Sequence, residues 1–256
     1  TKLISKAYPT SGSDISMAAK GISGNKTKLN GVPFSITEEF VSVYRLHPLL
    51  RSDLPIYDYK TGKEKAFLTT EGTTGTQARD ILEKEKHSFE DVWYTFGKVE
   101  PGALVLKNYP NFLRRLSNIN TNGVVDLGAI DVMRDRERGV PRYNQFRKLI
   151  HLNPIKKFED LFSEKVKKGT KVHGFKVKHE RDDKLTKEEK ALAKELKDLY
   201  GHVDNIDLLV GCLAETIRPD GYGFGETAFQ IFILMASRRL LADRFYTIDY
   251  RPEIYT

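Results

Sequence analysis

Apolar residues at helical spacing recur along this 256-residue chain, while alternating strand patterns are scarce, and that contrast limits the fold to a mostly α class. The stretch that says most is Thr37 to Leu50. Phe40, Val43, Tyr44 and His47 fall at i, i+3, i+4 and i+7, the spacing that puts all four on one face of a helix. Thr37 is placed to cap the first turn with its side-chain oxygen, and Glu38 and Glu39 complement the helix dipole there. Pro48 follows His47 directly; it has no N–H to donate and its ring crowds the carbonyl of Tyr44, so a bend is expected between Tyr44 and His47. Tyr44 and His47 are the two polar members of the inward face. A buried imidazole beside a buried phenol is either a hydrogen-bonded core pair or a ligand with a redox-active tyrosine next to it, and spacing alone leaves both readings open.

Hydrophobic residues make up 39% of the chain and aromatics 11%, enough to build the core of one large domain or two small ones. The net charge of +7 comes partly from one lysine-rich stretch. It suits an anionic substrate or peripheral contact with a membrane, and no nucleic-acid partner is expected. Cys212 is the single cysteine, so no intrachain disulfide forms, which fits a reducing, intracellular compartment. No run approaches the length of a membrane span; the strongest apolar run, Ala228 to Ala236, is interrupted by Gln230. The first residue is not methionine and no signal-peptide pattern follows it, so the chain reads as a piece that starts mid-stream.

In order, Thr1 to Gly31 reads as loop with one short helix near Ile15 to Lys20. Pro55 to Thr76 is a hairpin or an irregular surface loop. Helices are expected at Thr76 to Lys86, Ser88 to Gly97 and Phe158 to Phe162, and Leu104 to Leu116 contains Asn108-Tyr-Pro and then Phe112, Leu113 and Leu116 at helical spacing. Lys165 to Lys190 is lysine-rich and poor in apolar residues, an exposed insertion whose His173 and His179 belong to the surface. Further helices are expected at Ala191 to Tyr200, at Val203 to Glu215 with Ile206, Leu209, Val210 and Leu213 inward, and at Glu226 to Tyr246. The chain shows no internal repeat and no P-loop, dinucleotide-binding or zinc spacing.

Tyr44-x-x-His47-Pro48-Leu49 resembles the proximal helix of cyclooxygenases, and Tyr44-Arg45-x-His47 resembles the same helix in fatty-acid α-dioxygenases and fungal linoleate dioxygenases. Downstream, Arg134-Asp-Arg-Glu-Arg-Gly-Val-Pro-Arg-Tyr-Asn-Gln-Phe-Arg147 resembles the signature of animal-type haem peroxidases. Read alone it would be a solvated helix end and a turn; its order behind Tyr-x-x-His favours the resemblance. Gly102 to Pro110, Val203 to Gly211 and Glu226 to Phe245 are similar to the plant fatty-acid α-dioxygenases. The resemblance runs from about Gly31 to the end, apart from the insertion and the Pro55–Thr76 loop, and at Pro48 the chain is closer to cyclooxygenases.

The resemblance implies a helical haem-peroxidase, cyclooxygenase-like fold, with residues 1–256 as the C-terminal portion of one catalytic domain. It implies haem b, with His47 as the proximal iron ligand, Tyr44 as the radical carrier and Asp131 as the group that orients His47; read locally, Asp131 would instead cap or pair with Arg134 or Arg138. It implies that Arg239 holds the carboxylate of a long-chain fatty acid and that Phe232, seven residues earlier on the same face, lines the channel. Read locally, Arg239 would pair with Asp243 and Phe232 would be ordinary core. The implied reaction uses peroxide as activator and dioxygen as co-substrate. Haem oxidises Tyr44, the tyrosyl radical takes a hydrogen from Cα, and dioxygen adds to give a 2-hydroperoxy acid. The distal haem residues would lie in an N-terminal portion outside this chain. A haem peroxidase or an internal-carbon dioxygenase is the nearest alternative, and a non-catalytic helical module that binds lipid or a partner is the alternative from another class.

Overall fold

The computed structural model describes residues 35–69, 87–117, 123–162, 171–172, 175–176, 185–216, 218, 223–245, 249 and 251–255. The elements expected at 15–20 and 76–86, and the histidines at 173 and 179, lie outside these. In chain order the elements are α1 (Glu38–Val43), β1 (Asp53–Tyr57), β2 (Glu64–Thr69), α2 (Phe89–Lys98), α3 (Asn111–Arg114), β3 (Leu116–Ser117), β4 (Val124–Val125), α4 (Leu127–Glu137), α5 (Tyr143–Leu149), β5 (Lys171–Val172), β6 (Phe175–Lys176), α6 (Lys187–Tyr200), α7 (Leu208–Ala214), α8 (Glu226–Ala242) and α9 (Pro252–Tyr255), with 3-10 turns at His47–Leu49, Phe158–Leu161 and Val203–Asn205. The strands pair two by two, β1 with β2, β3 with β4 and β5 with β6, all antiparallel, so helices dominate as expected. The chain divides into two compact units, one of residues 1–45 with 135–256, the other of residues 46–134.

In the first unit α1 packs on α7 and α8, and α5 packs on α7. Tyr143, Ile206, Leu208 and Phe229 are fully buried there. The α5–α7 contact depends on Gly211: a Cβ at that position would stand 2.2 Å from Cδ2 of Tyr143. Helix α6 begins at Lys187, earlier than the apolar spacing indicates, because Thr186 and Glu189 form a reciprocal capping box. Val203 to Glu215 is not one helix. A 3-10 turn precedes α7, and His202 caps that turn through its side chain.

The second unit is built on the β1–β2 hairpin, which settles the Pro55–Thr76 stretch as a hairpin over its described part. Helix α2 packs on β1 with a polar face inward. Thr95 Oγ1 accepts from the Tyr57 amide at 2.9 Å, and Asp91 accepts from the Tyr59 amide at 2.9 Å and from Lys65 Nζ at 2.7 Å. The helical spacing at Phe112, Leu113 and Leu116 yields only α3, a single turn that starts after Pro110.

Candidate active site

The key stretch folds as two short pieces. Thr37 Oγ1 accepts from the Phe40 amide at 3.3 Å and starts α1 as expected. The helix stops at Val43, and Tyr44 is its C-cap at φ −86°, ψ 20°. Pro48 cannot return a hydrogen bond to Tyr44, so the chain re-enters as a 3-10 turn at His47–Leu49. The expectation that Tyr44 and His47 share one helix face is thus corrected: the break falls between them, and so does the boundary between the two units.

His47 belongs to the second unit. Its turn is clamped by the loop before α3: the Gly102 amide donates to Leu49 O at 2.9 Å, and Asn108 Nδ2 donates to Pro48 O at 3.2 Å and to Ala103 O at 2.8 Å. Gly102 has to be glycine at this approach, since a Cβ would stand 2.2 Å from Pro48 O. His47 Nδ1 lies 3.6 Å from Oδ2 of Asp131 on α4, and the Asp131 side chain is only 2% exposed. Tyr109 donates its hydroxyl to that same Oδ2 at 3.1 Å, and its ring sits 5.3 Å from the imidazole, tilted by 42°. Nδ1 is shut off from solvent, while a quarter of the His47 side chain as a whole is exposed. An imidazole whose Nδ1 faces a buried carboxylate would be able to hold a haem iron through Nε2.

Tyr44 belongs to the first unit and is 45% exposed, more open than a core pair would be, because it sits at a helix end. Its ring stacks on Phe40 at 4.8 Å and 21°, and on Phe232 of α8 at 6.3 Å and 6°. Phe232 in turn meets Phe224 edge-on at 6.0 Å. Phe232 is therefore beside Tyr44. Arg239 lies two turns further along α8 on the same face, roughly 10 Å along the axis at 1.5 Å per residue. Its side chain is exposed, and among the described residues it forms no ion pair with Asp243, whose carboxylate instead caps the Phe245 amide at 2.9 Å.

The Arg134–Arg147 signature does structural work that spacing alone does not reveal. Arg136 holds Asp207 through two parallel bonds of 3.0 and 2.7 Å, and Arg142 and Tyr200 reach the same carboxylate. Burial, and then Asp207, push the Tyr200 phenol up to about 12. Asn144 pairs with Ile155 through both its amide atoms and donates to Asp204 at 2.7 Å. Arg147 reaches Glu215 at 2.9 Å, Thr227 at 2.8 Å and Glu226 at 3.1 Å, while Tyr143 donates to Glu215 at 2.6 Å. Burial raises the Glu215 carboxyl, offset in part by Arg147. These bonds tie α5 to α7 and to the first turn of α8, the helix that carries Phe232 and Arg239. Ser42, near the end of α1, donates to Asp135 at 2.5 Å, and Glu38, at its start, pairs with Arg138 at 3.8 Å, which ties both ends of the helix that leads to Tyr44.

The helical architecture is that of the solved structures this chain resembles, and residues 14–256 match the family described as animal haem peroxidase. The chain belongs to that family. It is 40% identical to rice "Alpha-dioxygenase PIOX" over 249 residues, covering 92% of this chain and 36% of the relative. It is 39% identical to "Alpha-dioxygenase 1" of Arabidopsis thaliana over 248 residues, covering 92% of this chain and 35% of the relative. The crystal structure of the rice fatty acid alpha-dioxygenase superposes with a TM-score of 0.70 at 39% identity, over 88% of this chain and 34% of that one. A tyrosine-to-phenylalanine variant of the rice enzyme, solved with palmitic acid, gives 0.69 at 38%, over 88% of this chain and 35% of that one. The chain spans about a third of the length of the curated relatives it matches. Its fold is the peroxidase–cyclooxygenase one.

Proposed function

We propose that this chain acts in the haem-dependent α-oxygenation of long-chain fatty acids, both units belonging to one catalytic domain. The observation that carries the reading is the face of α8: an aromatic ring stacked on Tyr44, then an exposed arginine two turns on. A substrate held by its carboxylate at one end of such a face presents its first carbons to the other. The similarity to plant alpha-dioxygenases, one of whose relatives has been solved with palmitic acid, supports the same substrate class.

In this reading His47 would hold haem b through Nε2, with Asp131 facing the ring, and a bound haem would supply one-electron oxidising power drawn from peroxide. Tyr44 gives up an electron and its phenolic proton. Phe40 and Phe232 both stack on its ring, which restricts how the phenol can turn. The tyrosyl oxygen takes a hydrogen atom from Cα of the fatty acid, re-forming the phenol. Dioxygen adds to the carbon radical, and the peroxyl group recovers a hydrogen atom from Tyr44 to give the 2-hydroperoxy acid. Arg239 supplies a planar pair of donors to the carboxylate and so sets which carbon reaches Tyr44.

The test is oxygenation of palmitic acid by the haem-loaded protein and by Tyr44→Phe. The parent is expected to give the 2-hydroperoxide; the variant keeps its haem spectrum and peroxide reactivity yet loses the product. A parent that oxidises small reductants but no fatty acid, or that oxygenates an interior carbon, overturns the reading in favour of the peroxidase or the internal-carbon dioxygenase.

A further inference from the structure

Tyr109 has no part in the reaction above, yet its hydroxyl reaches the one carboxylate oxygen that faces His47. Oδ2 of Asp131 accepts from Tyr109 at 3.1 Å and lies 3.6 Å from His47 Nδ1. The phenol donates to that oxygen and the imidazole Nδ1 faces it from just beyond hydrogen-bond reach, on a carboxylate so buried that bulk water does not compete for it. A carboxylate facing an imidazole N–H draws the proton toward itself, makes the ring more basic and favours the ferric iron it would bind. A phenol donating to the same oxygen takes up part of that negative charge and weakens the pull.

The position of Tyr109 is itself fixed. Asn108, the residue before it, is bonded to Pro48 O and Ala103 O, and Pro110, the residue after it, is fully buried. The phenol ring lies against the imidazole. One loop thereby holds both the turn that carries His47 and the donor that moderates its partner.

We propose that Tyr109 is a positioning residue that sets how strongly Asp131 acts on His47, and through it the reduction potential of the bound iron. The inference rests on the reading of His47 as haem ligand. It is independent of which substrate the enzyme takes.

The experiment compares the haem-loaded protein with Tyr109→Phe, Asp131→Asn and the double variant. The readouts are the ferric/ferrous midpoint potential and the iron–histidine stretching frequency of the ferrous form by resonance Raman spectroscopy. Tyr109→Phe should lower the midpoint and raise the stretching frequency, because the whole carboxylate charge then acts on His47. Asp131→Asn should do the reverse, and with Asp131→Asn in place the Tyr109→Phe change should add nothing. Incorporation of 3,5-difluorotyrosine at position 109 leaves the shape nearly unchanged and makes the phenol a stronger donor, so it should raise the midpoint above that of the parent. Tyr109→Phe or difluorotyrosine protein with parental potential and frequency overturns the proposal, as does an equal Tyr109 effect with and without the Asp131 carboxylate. A parent without a Soret band, or one whose Soret spectrum is unmoved by His47→Ala, overturns this proposal together with the ligand reading.

Discussion

An arginine that anchors a carboxylate fixes the reacting carbon by distance. Cα is one bond from the carboxyl carbon, so attack there demands a tight anchor; if bound substrate desolvates the exposed Arg239, losing the charge-assisted pair costs roughly 2–5 kcal/mol. Arg239→Ala should therefore raise the apparent KM for free fatty acids steeply, on the order of 30-fold or more at 1.4 kcal/mol per factor of ten, and should blur the position of oxygenation. Arg239→Lys should recover only part, since a point charge does not reproduce the planar fork. The methyl ester should be a poor substrate whose rate hardly responds to the substitution. Equal responses of acid and ester, measured by steady-state kinetics, would make Arg239 a structural residue. Period placed Phe232 and Arg239 on one stretch of α8, but it misplaced Tyr44 and His47, which fall on separate pieces of chain. Tyr109 was not legible in the sequence, because its contact with Asp131 joins a loop to a helix across a long separation and leaves no periodic trace. The exposure of Tyr44 was not legible either, since spacing gives a direction and not the helix end that leaves the ring open.

At the level of elements, hydrophobic spacing located most helices and misjudged what happens at their ends. Pro48 predicted a bend and produced a full break, and the capping box at Thr186 started α6 ahead of its apolar residues. Helix α2 shows a different limit. Its inward face is Asp91 and Thr95, while Phe89, Trp93 and Phe96 face out, Trp93 at 70% exposure, so the helix is held by hydrogen bonds and not by its aromatic stripe. The Lys65 ammonium, helped by the Tyr59 amide, holds the Asp91 carboxyl down at about 2, against an ordinary value of 3.8. A depressed carboxyl contributes stability that is present above its unfolded value and is lost as the pH falls through the folded one. The hairpin–α2 assembly should accordingly weaken between about pH 4 and about pH 2. Trp93, the single tryptophan of the chain, reports this directly. Its fluorescence in urea titrations should give a midpoint that falls across that window. Asp91→Asn should start lower at neutral pH and depend less on pH there. An unchanged acid slope in that variant would show that Asp91 does not carry the linkage.

On the scale of the whole molecule, the mostly α class was legible because it is the sum of many periodic segments, each weak alone. The division into two units was not. Its boundaries fall between Arg45 and Leu46 and inside α4, where no Pro-, Gly- or Ser-rich linker marks the sequence. What organises the first unit is the buried cluster around Arg147 and Glu215, which joins residues far apart in the chain through a motif that reads as surface charge. Buried ion pairs are poor sources of net stability, but breaking one by removing a single partner costs about 3–5 kcal/mol, because the other charge stays buried. Arg147→Met should therefore destabilise the unit by about that amount. The double variant Arg147→Met, Glu215→Met should recover most of it, as apolar side chains replace both charges. The pH dependence has a definite sign. Burial already raises the Glu215 carboxyl, and Arg147 is the main group that lowers it, so Arg147→Met pushes it further up. A carboxyl raised in the fold binds its proton more tightly there than in the unfolded chain, so the fold gains as the pH falls and loses as it rises through the folded value. The deficit of Arg147→Met, read from denaturant unfolding followed by far-ultraviolet circular dichroism, should be smallest in mild acid and grow toward alkaline pH. A deficit that stays constant with pH, or a double variant no more stable than the single, would mean that Glu215 remains satisfied by Tyr143 and Thr227 and that Arg147 contributes through packing alone.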